Sequence, residues 1–107
     1  TRARVVRLRE DERRLAADPG LQVLDVRERR EWGAGHLPGS VHTPYHAIDG
    51  VPHGIDPGLP VAVVCASGQR SGLGASLLVR AGATDVIHVV DGGVGTCAAA
   101  GVALVAD

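Results

Sequence analysis

Cys65 opens the stretch Cys65-Ala66-Ser67-Gly68-Gln69-Arg70, in which a thiol is followed by small residues and closed by an arginine. Small residues let the backbone curl and aim several N–H groups at the sulfur, and Gly68 accepts a positive φ that such a curl requires. Nests of backbone amides and helix N-termini carry partial positive charge, so a thiolate or another anion is stabilised there. Arg70 is always protonated and offers an anionic substrate a planar pair of donors. No histidine lies near Cys65 in sequence, so activation by loop amides and helix dipole fits better than a Cys–His pair. These residue types support nucleophilic sulfur chemistry on a small anionic donor. The spacing alone also leaves room for Cys65 as a buried core thiol, the usual fate of a free cysteine.

The flanking sequence explains how such a thiol is positioned. Val61-Ala62-Val63-Val64 reads as a buried strand, and Ser71–Ala81 carries leucines at helical spacing, so Cys65 stands where a strand ends and a helix begins. Gly82 ends that helix as a C′ glycine. The rest of the chain repeats the alternation. Strands are expected at Ala3–Leu8, Leu21–Val26, Ser40–His42 and Asp85–Val90, and helices at Asp11–Ala17, Arg27–Trp32 and Thr96–Ala100. Gly50–Gly58, with three glycines and two prolines, reads as loop. Alternating strands and helices imply an α/β domain with a mainly parallel sheet. Asp25 and Cys65 each close a strand, which puts both on the carboxyl edge where ligands bind in open parallel sheets.

Together the motifs resemble the rhodanese family. The loop Cys65 to Ser71 is similar to its active-site loop. Leu24-Asp25-Val26-Arg27-Glu28, Glu31-Trp32 and Gly35-His36-Leu37-Pro38-Gly39-Ser40 resemble its upstream signature, and Asp91-Gly92-Gly93 with Ala100-Gly101-Val102 its terminal one. The matches run in the family's order from about Val23 to Val102. The resemblance implies an α/β fold with a parallel five-stranded sheet and helices on both faces. It implies that Cys65 cycles between thiolate and persulfide without metal or other cofactor. The thiolate takes the outer sulfur of a donor such as thiosulfate, releases sulfite, and passes the sulfur to cyanide or a thiol. Cys65 is then the catalytic residue. Ala66, Ser67, Gly68, Gln69, Arg70 and Ser71 bind the donor, with Arg70 as the docking site for its sulfonate-like end. Cysteine-dependent phosphatases hold five residues between cysteine and arginine, where this chain holds four. The shorter loop suits one sulfur atom better than a tetrahedral phosphate.

Asp25 is expected to support the site, pairing with Arg27 or Arg70 or accepting backbone amides, rather than to act as acid or base, and Arg27 either forms such an ion pair or faces the cleft and assists anion binding. One departure from the family lies at Cys97, where a Trp is usual four positions after the Gly-Gly pair. A small hydrophobe there leaves room in the core, and a resolving thiol is the sharper alternative. The histidines His36, His42, His46, His53 and His88 form no recognised ligand set, so no metal is expected. His36 is expected to bond backbone within its turn. Gly93-Val94-Gly95-Thr96-Cys97-Ala98 satisfies a dinucleotide pattern, but no second strand or ribose-binding acid follows it.

Composition bounds the rest. The 107 residues suffice for a single domain over 1–107, and 45% apolar with 21% charged residues is ordinary for a globular chain. Phe and Met are absent, so Val, Leu and Ala must fill the core. All eleven basic residues are arginine, which fits a coding bias, and the net charge of −1 gives no reason to expect nucleic acid or membrane as partners. Two cysteines are too few for a disulfide framework, and no signal peptide or spanning segment is read. The cytoplasm is therefore expected. The expected partners are a small sulfur donor and a thiol or cyanide acceptor. A relay or regulatory module serving a protein sulfur acceptor is the alternative, as is a detached part of a larger enzyme.

Overall fold

A computed structural model describes residues 4–7, 20–65, 69–90, 93–99 and 101–106. The helix expected over Asp11–Ala17, the loop residues Ala66, Ser67 and Gly68, and Asp91-Gly92 lie outside the described residues. So do the side-chain roles expected of Gln69 and Arg70.

Five strands form one sheet: β1 (Arg4–Arg7), β2 (Gln22–Asp25), β3 (Val41–His42), β4 (Val61–Val64) and β5 (Val86–Val90). Their order is β1-β5-β4-β2-β3, and every pairing is parallel. β4 sits at the centre with all four residues buried, which is why it reads as an unbroken apolar run rather than an alternating one. The helices are α1 (Arg29–Ala34), α2 (Gln69–Arg80) and α3 (Val94–Ala99), with a 3-10 turn at Tyr45–Ala47.

Side chains alternate across β4 and sort the core into two layers. Val61, Val63 and Cys65 join Leu24, Val26, Val86, Ala75 and Leu78 beneath α2. Ala62 and Val64 join Val23, Leu37, Val89, Val94 and Cys97 beneath α3. Helices therefore cover both faces of the sheet, and aliphatic side chains fill both layers. A Cβ on Gly74 would lie 3.0 Å from Val26 Cγ1 and 3.1 Å from Val63 Cγ1, so α2 rests on the sheet more closely than any other residue would permit.

All three helix starts differ from the sequence expectation. α1 begins at Arg29 rather than Arg27, because Arg27 is held by Asp25 and Glu28 takes the N-cap position. The Glu28 N–H donates to Glu31 Oε1 at 3.1 Å, a capping-box bond that satisfies one donor at the start of the helix. α2 begins at Gln69, two residues before Ser71, so Gln69 and Arg70 belong to its first turn. α3 begins at Val94, whose N–H bonds the Cys65 carbonyl at 3.0 Å. The 3-10 turn after Pro44 has no counterpart in the sequence expectation; its Tyr45 N–H is fixed by the Val26 carbonyl at 3.0 Å, a contact nineteen positions away in sequence.

Candidate active site

β4 delivers Cys65 to the carboxyl edge of the sheet. On one side the Val64 carbonyl accepts the Val26 N–H at 3.0 Å, extending the β2–β4 ladder one residue past β2. On the other, the Cys65 carbonyl accepts the Val94 N–H at 3.0 Å and ties the residue to the start of α3. The backbone around the thiol is thus held from both layers. The side chain lies in the α2 layer and Cys65 exposes only 1% of its surface. A nucleophile is expected at an open cleft, so this coverage is a difference from the sequence reading. It follows from the parity of β4, which directs residue 65 with Val61 and Val63 into the core. Burial by itself matches a core thiol. The position, at a strand end with a helix opening four residues later, matches a nucleophile. The first four N–H groups of α2, from Gln69 to Gly72, precede the helix's own hydrogen-bond ladder, and the helix opens four residues after Cys65.

Asp25 closes β2 on the same edge and is fully buried. Its Oδ1 accepts the Arg27 backbone N–H and Nε–H, each at 3.0 Å, and Oδ2 accepts the Arg27 Nη2–H at 2.8 Å. The same Nη2 donates to the Gly35 carbonyl at 2.8 Å. Gly35 ends α1 at φ +149, and this backbone turn presents its carbonyl to the guanidinium. Arg27, 7% exposed, is therefore a brace between β2 and the end of α1. The ion pair expected between Asp25 and Arg27 is thus present.

A second brace is aromatic. Trp32 stacks on His36 with ring centroids 3.4 Å apart and on His42 at 4.8 Å. His36 Nδ1 lies 3.0 Å from the Trp32 carbonyl, and its backbone exchanges bonds with Val105 at 2.8 and 2.9 Å, as its turn position led one to expect. His42 Nε2 lies 2.8 Å from the Arg27 carbonyl. His46 pairs with Glu28 at 3.0 Å on the surface. His36 and His42 are thus spent on stacking and backbone contacts and His46 on a surface carboxylate, and no cluster able to hold a metal ion occurs among the described residues.

Ser71 stands in the first turn of α2, fully buried, and its hydroxyl donates to the Val89 carbonyl at 3.0 Å. The hydroxyl faces β5. Cys97 is fully buried in the α3 layer, on the face of the sheet opposite Cys65. It fills the core as the small hydrophobe expected of it, and a resolving role would require its sulfur to reach through the sheet. His88, half-buried on β5, was missed by sequence reasoning. Its parity with Val86 places it toward α2, and its ring lies 3.1 Å from where a Cβ on Gly72 would stand. The signal was present in the alternation of β5 and the glycines of α2, but neither alone announces the contact.

Comparison with known proteins follows the same lines. The family model of the rhodanese-like domain matches residues 9–99. The thiosulfate sulfurtransferase GlpE of Pseudomonas aeruginosa (strain LESB58) is 31% identical over 87 residues, covering 81% of this chain and 78% of that protein. The putative sulfur carrier protein YrkF of Bacillus subtilis is 33% identical over 79 residues, covering 74% of this chain. The matched region spans 43% of YrkF's length. Among solved structures, a rhodanese-related protein from Thermoplasma volcanium superposes with a TM-score of 0.73 at 26% identity, covering 97% of this chain and 99% of that one. A rhodanese-like domain from Anabaena, at 23% identity, reaches 0.78 over 95% of this chain and 78% of its own and speaks to fold alone.

Proposed function

This chain belongs to the rhodanese-like domain family, and from that membership we propose that it is a sulfurtransferase carrying sulfur as a persulfide on Cys65. The observation that supports this most is the place of Cys65, at the carboxyl end of the central strand with the amide end of α2 four residues on. The Cys65 thiolate attacks the outer sulfur of thiosulfate or a similar donor. The donor's S–S bond breaks and sulfite leaves with the bonding pair. Cyanide or a thiol then attacks the outer sulfur of the persulfide and the thiolate is regenerated, with no external oxidant or reductant. Backbone amides from Ala66 to Ser71 cradle the added sulfur, Arg70 docks the donor's anionic end, and the Asp25–Arg27 pair fixes the neighbouring edge. The cycle needs no cofactor. Its setting is the cytoplasm, and among the described residues no helix is long and apolar enough to cross a membrane.

The test is intact-protein mass after incubation with thiosulfate. Wild type is expected to gain one sulfur atom that cyanide removes, and Cys65→Ser to gain none. No gain in wild type with thiosulfate or mercaptopyruvate would overturn the free-standing enzyme. A gain retained in Cys65→Ser would move the sulfur to Cys97. The likeness to YrkF supports a second reading, a relay module that hands its sulfur to a protein. A Cys65 persulfide that small thiols leave in place but an acceptor protein discharges would favour it.

A further inference from the structure

The first turn of α2 meets β5 at two adjoining points. The Ser71 hydroxyl, buried, donates to the Val89 carbonyl at 3.0 Å. One residue on, Gly72 has no side chain, and the His88 imidazole fills the space, with Cε1 at 3.1 Å and Nε2 at 3.4 Å from where a Cβ would be. His88 and Val89 are consecutive on β5, so one dipeptide receives two consecutive helix residues. His88 pairs in register with Val63, two residues before Cys65 on the neighbouring strand, and shares the sheet face to which Cys65 belongs. The contacts therefore lie in the first turn of α2, the helix that opens four residues after Cys65.

We propose that Ser71, Gly72 and His88 form a seat that sets the height of α2's first turn, making Ser71 and His88 positioning residues for Cys65. This rests on the reading of Cys65 as a thiolate nucleophile. A helix end stabilises an anion through dipoles whose effect falls off within the first turn, so lifting that turn weakens it. A side chain at residue 72 can be accommodated only if α2 rises or His88 turns aside. The imidazole therefore acts as a stop under the helix, and the Ser71 hydroxyl is the tie that holds the helix down on it.

The seat is tested by the pH dependence of Cys65 alkylation with iodoacetamide, read at the Cys65 peptide by mass spectrometry, so that Cys97 does not enter. No sulfur donor is used, so the result stands whether or not thiosulfate loads the protein. Gly72→Ala is expected to raise the midpoint by about half a pH unit, roughly a threefold loss of thiolate below the midpoint. Adding His88→Ala to it is expected to bring the midpoint back, because the space left by the ring receives the new methyl group. Ser71→Ala, which adds no volume, is expected to raise the midpoint as well and serves if Gly72→Ala does not fold. Thermal melts followed by circular dichroism establish that each variant is folded. A folded Gly72→Ala or Ser71→Ala with an unchanged midpoint overturns the seat. So does a double variant that remains shifted, since the two substitutions must couple if they share one space.

Discussion

A carboxylate that is fully buried and grips an arginine through both of its oxygens has been taken out of water together with its partner. Bringing such a pair together roughly offsets the cost of dehydrating it, whereas removing one member strands the other. Asp25→Asn is therefore expected to cost about 3–5 kcal/mol, a large share of the 5–15 kcal/mol typical of a domain. Urea unfolding measures this loss. Replacing both members with apolar residues, as in Asp25→Leu with Arg27→Met, is expected to cost less than Asp25→Asn alone. A double variant weaker than the single would instead locate the value of the pair in the bond from Arg27 to Gly35. The single Trp provides a local probe, because Trp32 stacks on His42, whose Nε2 contacts the Arg27 carbonyl. Its emission should change in Asp25→Asn before global unfolding begins.

Glycines in two helices have opposite meanings. Gly33 lies within α1 with nothing within 4 Å of a built Cβ, so Gly33→Ala restricts the unfolded chain without a clash. It is expected to stabilise by about 0.4–1 kcal/mol. A Cβ on Gly74 in α2 would stand 3.0 and 3.1 Å from the Val26 and Val63 methyls, so Gly74→Ala must push the helix away from the sheet. It is expected to destabilise by about 1–3 kcal/mol. Denaturant midpoints of the two variants should move in opposite directions. At this scale the sequence was legible where the pattern is local. β4 appears at its observed bounds because four consecutive apolar residues leave no other reading. The start of α1 was misread by two residues, because the hold of Asp25 on Arg27 is a side-chain matter that periodicity does not carry. The 3-10 turn depends on the Val26 carbonyl, a partner fixed only once β2 and β3 are side by side.

At the scale of the molecule, parallel topology gathers Asp25, His42, Cys65 and the end of β5 onto one edge from four separate stretches of chain. That convergence was legible for Asp25 and Cys65, since each closes an apolar strand. It was not legible for His88, whose role depends on which helix residues lack a Cβ above it. The two sulfurs illustrate the same point from the other side. Sequence places them 32 positions apart with no stated relation, and the sheet assigns them to opposite layers.

A single layer of strands consequently partitions the thiols, and neither is in a disulfide. Bridged sulfurs bind at about 2 Å, a distance unattainable through a sheet without dismantling it. A sulfenic acid formed at Cys65 is therefore not resolved by Cys97 and needs another thiol or a backbone nitrogen to hold it short of the irreversible acids. Peroxide-treated protein should show oxygen additions at Cys65 and no Cys65–Cys97 bridge in a non-reducing peptide map. The sheet that separates the two thiols thus leaves Cys65 to be rescued, if at all, by something other than Cys97.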